Sequence, residues 1–178
     1  MGFFSGRNVN KHRQSGGGNF WTPGTYHVKV AKVELKDGFK GTTYIIEAEV
    51  LAVLAAKGAH KVGNAEFAAS REVGDKPGQA LKCEPGDKVK FEMTMGNIAD
   101  FLRACFATMT AIESGEIVDP KTINVDDDDV DASYGEEQPV TGLELELYAY
   151  GIETAKDKKP FTVIQYRPLE QYRAEKAA

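Results

Sequence analysis

KVKFEMTMGNIADFLRACFATM, residues 88–109, holds two different hydrophobic periods, and the point where one gives way to the other decides the fold. Over 88–95, Val89, Phe91, Met93 and Met95 alternate with Lys88, Lys90, Glu92 and Thr94, a period of two that predicts a half-buried strand. From Ile98 the apolar residues are Ile98, Phe101, Leu102, Cys105, Phe106 and Met109, which share one face of an α-helix. Asn97 offers an N-cap, Asp100 favours the positive end of the helix dipole, and Ser114-Gly115 ends the pattern. The reading is a strand over 88–95 followed by a helix over 97–112.

Working outward, a first strand is expected at 24–35. Tyr26, Val28 and Val30 face one way, with His27 and Lys29 opposite; the parity then flips to Val33 and Leu35, as a β-bulge would make it. Lys36-Asp-Gly-Phe-Lys-Gly41 turns the chain into a second strand at 42–53, whose even positions are Tyr44, Ile46, Ala48 and Val50 and whose odd positions include Glu47 and Glu49. The connection 54–87 is long for a compact domain, so a hairpin of its own is expected, with Glu66–Val73 as its strand candidate. Strands at 142–152 and 160–167 close the pattern. Five strands with one helix between the third and fourth predict a mainly β protein, a five-stranded Greek-key barrel of the OB-fold type. Residues 1–19 read as a flexible basic Gly-rich arm, 20–168 as the barrel domain with its 54–87 connection and an acidic loop at 113–139, and 169–178 as a C-terminal tail with a helical turn or two.

The formal net charge of −5 hides its distribution. Residues 113–137 carry ten acids against Lys121 alone, so the rest of the chain is positive, and residues 1–33 contain no acid. Asp126, Asp127, Asp128 and Asp129 are expected in a solvated loop, a surface for a basic partner. No stretch is long and apolar enough to span a membrane, and the first eighteen residues lack the apolar core of a signal peptide. With two cysteines and Cys105 on the helix's apolar face, the chain reads as one of a reducing compartment.

Enzyme chemistry finds no support. His12, His27 and His60 have no metal-ligand spacing, no CxxC, HExxH, GxSxG or P-loop occurs, and the Asp126–Asp131 run lacks the calcium-loop spacing. No cofactor is expected. An OB-fold binds through the face of its second and third strands and through the first–second and fourth–fifth loops. Here those loops offer Lys36, Phe39 and Lys40, and Lys156, Lys158 and Lys159. Cations for phosphates beside a ring for bases suit a single nucleic-acid strand. Trp21, Tyr148 and Tyr150 are stacking candidates, and Lys29, Arg71, Lys88 and Lys90 are phosphate candidates.

GGGNFWTPGTYHVKV (16–30), TYIIEAEVLA (43–52), Val62-Gly63 and GNIADFLRA (96–104) together resemble bacteriophage OB-fold proteins similar to phage single-stranded-DNA-binding proteins. The resemblance implies binding of single-stranded DNA without strong sequence preference, in phage replication or recombination, in the cytoplasm of the infected host, alongside other replication or recombination proteins. Two other readings stand beside it: a virion structural or capsid-decorating protein gripping a neighbour with its basic arm, and an adaptor recruiting a basic partner through the acidic loop.

Overall fold

The computed structural model describes residues 20–39 and 41–174; the expected arm at 1–19 lies outside them. The protein is mainly β. One five-stranded antiparallel sheet runs in the order β5-β2-β1-β6-β7, built from β1 (Gly24–Gly38), β2 (Gly41–Ala56), β5 (Gly78–Cys83), β6 (Glu144–Glu153) and β7 (Pro160–Arg167). A small hairpin, β3 (His60–Val62) and β4 (Ala65–Phe67), occupies the long connection. Among the described residues two α-helices complete the fold, α1 (Lys88–Ser114) and α2 (Asp127–Ser133).

β1 organises the sheet because it pairs on both edges. It meets β2 along its whole length, from Gly24↔Ala56 to Gly38↔Gly41, and meets β6 over Gly24–Lys29. The expected bulge lies between Val30 and Lys32, one of three register shifts against β2. It lets Tyr26, Val28, Val30 and Val33 all point inward and become fully buried despite the change of parity. Tyr44, Ile46, Ala48 and Val50 of β2 and Leu145, Leu147 and Ala149 of β6 complete the inner face. The outer strands β5 and β7 approach each other without pairing, so the sheet curls but does not close as a barrel. Across this seam the Tyr166 hydroxyl donates to Gln79 Oε1 at 2.9 Å.

The stretch 88–95 is not a strand. α1 begins nine residues before its expected start, capped by Asp87, whose carboxylate accepts from the Lys90 amide at 3.2 Å. The same residues satisfy both periods: Phe91, Thr94, Met95 and Ile98 line a helix face as well as Phe91, Met93 and Met95 line a strand face. The helix resolves the conflict by exposing Val89 and Met93, burying Thr94 and packing Met95 against the core. The Thr94 hydroxyl donates to the Lys82 carbonyl at 2.8 Å, joining the helix to β5. The third strand of the five-stranded sheet is therefore Gly78–Cys83, inside the segment expected to be irregular. Phe101 and Leu102, both fully buried, seat α1 on the core, and the Phe101 ring meets Tyr166 edge-on at 4.9 Å.

The connection does form a hairpin, although its second strand is shorter than Glu66–Val73. Beyond it Ser70 and Arg71 lash the chain to the start of β1: the Ser70 hydroxyl donates to the Pro23 carbonyl at 2.7 Å, and the Arg71 amide donates to the Tyr26 hydroxyl at 2.9 Å. The acidic segment is also more ordered than a solvated loop. Asp126 and Asp129 form a reciprocal capping box, each carboxylate accepting the other's amide. The short helix they start delivers Ser133 to the buried Tyr44 hydroxyl at 2.7 Å, and Val130 and Tyr134 pack on the core. Acidic residues suit the first turn of a helix, which is why a run of four aspartates nucleates one here.

A 3₁₀ turn at Glu170–Tyr172 follows β7, and Arg173 returns to the sheet through Glu146 at 3.1 Å. Cys83 is half-buried, Cys105 is buried, and both are free thiols. Among the described residues no helix is long and apolar enough to cross a membrane.

Candidate nucleic-acid interface

The outward face of the sheet is where the lysines of β1 stand, and they do not stand alone. Lys29 lies opposite Glu49 in the β1–β2 register and opposite Glu144 in the β1–β6 register, with its Nζ 3.8 Å from Glu49. Glu34 is gripped by Lys32 and by Lys36, the latter at 3.1 Å, and these two ammonium groups hold its carboxyl below the usual carboxylate range. His27 Nε2 sits 2.8 Å from Glu144. Exposed pairs of this kind contribute little stability, but they leave this face nearly neutral. Lys29 and Lys36 are thus present on the surface with acids already beside them.

The two expected ligand loops do not share an end of the sheet. The β1–β2 turn follows Gly38, whereas β6 runs antiparallel to β1 toward Gly24, so the β6–β7 loop lies off the opposite end of β1. Along an extended chain the fourteen steps between Gly24 and Gly38 span roughly 45 Å of contour. Phe39, at the tip of the first turn, is fully exposed; Lys40 falls outside the described residues. The two loops expected to share one ligand therefore lie at separate ends of the sheet.

Other candidates also change meaning. Trp21 is 3% exposed and packs its ring 5.2 Å from Tyr26, so it closes the core instead of offering a stacking face. Arg71 is committed to structure, its guanidinium donating to the Phe20 carbonyl, with Nε at 2.8 Å. Lys88 and Lys90 lie in the first turn of α1 and not on the outward face of a strand; Lys90 is 3.7 Å from Glu84 and 3.9 Å from Asp87. Tyr148 and Tyr150 do stand together on the outward side of β6, ring centres 5.3 Å apart, half-exposed, with the Arg167 guanidinium 5.1 Å from the Tyr148 ring. Of the four aspartates, Asp127 and Asp128 are exposed, while Asp126 and Asp129 are engaged as caps.

The β6–β7 loop is the cationic element that its lysines predict. Its backbone is tied by Thr154 and Lys159, the Thr154 amide donating to the Lys159 carbonyl at 2.9 Å and the Thr154 hydroxyl accepting the Lys159 amide at 3.0 Å. Lys158 takes a left-handed conformation at φ 55°, which tightens the turn. Lys156, Lys158 and Lys159 are exposed, and none of them forms an ion pair within 4 Å of an acid among the described residues. Phe161 follows two residues later, 54% exposed, and Phe20 is 57% exposed. Pattern singles out neither ring, because Phe161 sits on the outward parity of β7 where an aromatic has no period to announce it. The one signal in the sequence is its position directly after Lys158-Lys159-Pro160.

Among the described residues no group of three or more His, Cys, Asp or Glu side chains is placed to hold a metal ion. No protein-family model matches the chain. No curated protein matches it either.

Proposed function

We propose that this protein binds single-stranded DNA without strong sequence preference, on an OB-fold-like sheet whose long helix lies between the third and fourth sheet strands, and that it serves phage replication or recombination in the host cytoplasm. The observation that carries the reading is the β6–β7 loop: three exposed lysines with no ion pair within 4 Å among the described residues, followed after Pro160 by an exposed phenylalanine. Phosphates need cations that are not already neutralised, and bases need a flat apolar surface; few surfaces on this net-acidic chain supply both. A sheet order centred on a first strand that pairs on both edges supports the fold part of the reading.

Fluorescence polarisation of labelled oligo-dT at two salt concentrations tests it. Binding that weakens steeply with salt is expected; no binding at low salt would refute the proposal. A second reading, an adaptor for a basic partner, draws on the exposed Asp127 and Asp128. It predicts that Asp127→Ser with Asp128→Ser abolishes capture of a replication or recombination protein and leaves oligo-dT affinity unchanged.

A further inference from the structure

The seam between β5 and β7 is more than a gap. Two cavities of about 300 and 480 Å³ lie along it and share Gln79, Val163 and Ile164, and a third of about 620 Å³, between Phe20–Pro23 and the β3–β4 hairpin, adjoins the smaller one through Phe20, Trp21 and Pro160. They make one trough that starts at the foot of the lysine loop and follows β7 toward Arg167. Each is of a size that accommodates a small organic group.

Three observations give the trough a chemistry. Phe20 and Phe161 line it and are 57% and 54% exposed, so two aromatic rings on its wall are open to a ligand. Trp21 lines it too, and its indole Nε1 is buried with no hydrogen-bond partner among the described residues. A buried N–H without an acceptor is costly, so a ligand that brings a carbonyl oxygen would relieve it. Positive charge is concentrated at one end, where Lys159 adjoins Pro160. At the other end Arg103 and Lys121 are balanced by Asp100 and Asp119, and Arg167 is held by Glu146 at 2.9 Å. Glu66 is the acid on the first cavity and is 3.4 Å from Lys61.

We infer that this trough is the track for a single nucleic-acid strand: phosphates held by Lys156, Lys158 and Lys159, bases stacked on Phe161 and Phe20, and a base carbonyl accepting from Trp21. The inference rests on the single-stranded-DNA reading above and adds a path to it. The path differs from the outward face of β1 and β2, whose lysines are neutralised by Glu34, Glu47 and Glu49.

Trp21 is the chain's sole tryptophan, so its emission reports the trough alone. Titration of the full chain with unlabelled oligo-dT is expected to change that emission saturably, at the concentrations where labelled oligo-dT shows binding by polarisation. Phe161→Ala and Phe20→Ala, both at exposed rings, should each weaken binding roughly five- to hundredfold, and Lys158→Glu should weaken it and flatten its salt dependence. Phe39→Ala and Lys36→Ala should change nothing. Binding with Trp21 emission unmoved, insensitive to Phe161→Ala and weakened by Phe39→Ala, would overturn the track and leave the single-stranded-DNA reading intact. Absence of binding by the unaltered protein at low salt would remove both.

Discussion

Phe20 and Trp21 are chain neighbours with opposite fates, and the difference is one of parity in an extended segment. Successive side chains point to opposite sides, so one ring enters the core against Tyr26 while the other is left at the surface. The core residues are the sensitive ones. Phe101→Ala should lower stability by about 3–5 kcal/mol, read as a shift in the urea midpoint, since it empties a fully buried site and removes the edge contact with Tyr166. Buried acids of weak character add a pH signature. Burial pushes the Cys105 thiol well above its ordinary 9.0, and the Tyr44 and Tyr166 hydroxyls well above 10.0. The unfolded chain therefore releases these protons first. Their contribution to stability is undiminished between neutral pH and pH 9 and falls as pH rises further, by up to about 1.4 kcal/mol per pH unit for each group. Thermal unfolding between pH 7 and 11 should show this decline, and Cys105→Ala should make it shallower above pH 9, with Cys83 and the two tyrosines still contributing.

At the scale of elements, α1 and α2 show how local chemistry and tertiary demand meet. Gly96 sits inside α1, and a Cβ built there would meet nothing within 4 Å. Gly96→Ala should therefore raise stability by about 0.5–1 kcal/mol in chemical denaturation, because the helix gains propensity and no neighbour is displaced. α2 depends on its cap. Asp126→Ala removes one half of the capping box and should cost about 0.5–2 kcal/mol; amide exchange at Ser133 and Tyr134 should rise in the same variant as the Tyr44–Ser133 hydrogen bond is lost more often. Both helices involve segments where pattern alone is ambiguous. Residues 88–95 fit a strand or a helix equally, and eight residues of alternation cannot compete with a continuous 27-residue helix that buries Thr94, Ile98 and Phe101 together. The four aspartates read as loop because composition carries no information about reciprocal capping.

For the molecule as a whole, the charge pattern decides which surface is available to a polyanion. Reversing Lys156, Lys158 and Lys159 together to Glu should abolish oligo-dT binding at moderate salt while leaving the thermal midpoint within about 1 °C, because the loop is exposed and its turn is held by Thr154 and the backbone. Reversing Lys29 and Lys36 should reduce binding far less, since their cationic charge is already offset by Glu49 and Glu34. Residue order by itself determined the two long strands, the bulge of β1, the inward set on β2, the start and end of β7, a hairpin within 54–87, and a cationic β6–β7 loop. These follow from local alternation and turn chemistry, which act over a few residues. Tertiary structure alone decided that the third sheet strand is Gly78–Cys83, that the sheet remains open between β5 and β7, that the two lysine loops lie at opposite ends of β1, and that Phe161, not Trp21, faces outward beside the lysines. Each of these depends on which strand edges and faces meet across the fold, a matter of long-range packing that residue order along one segment does not encode.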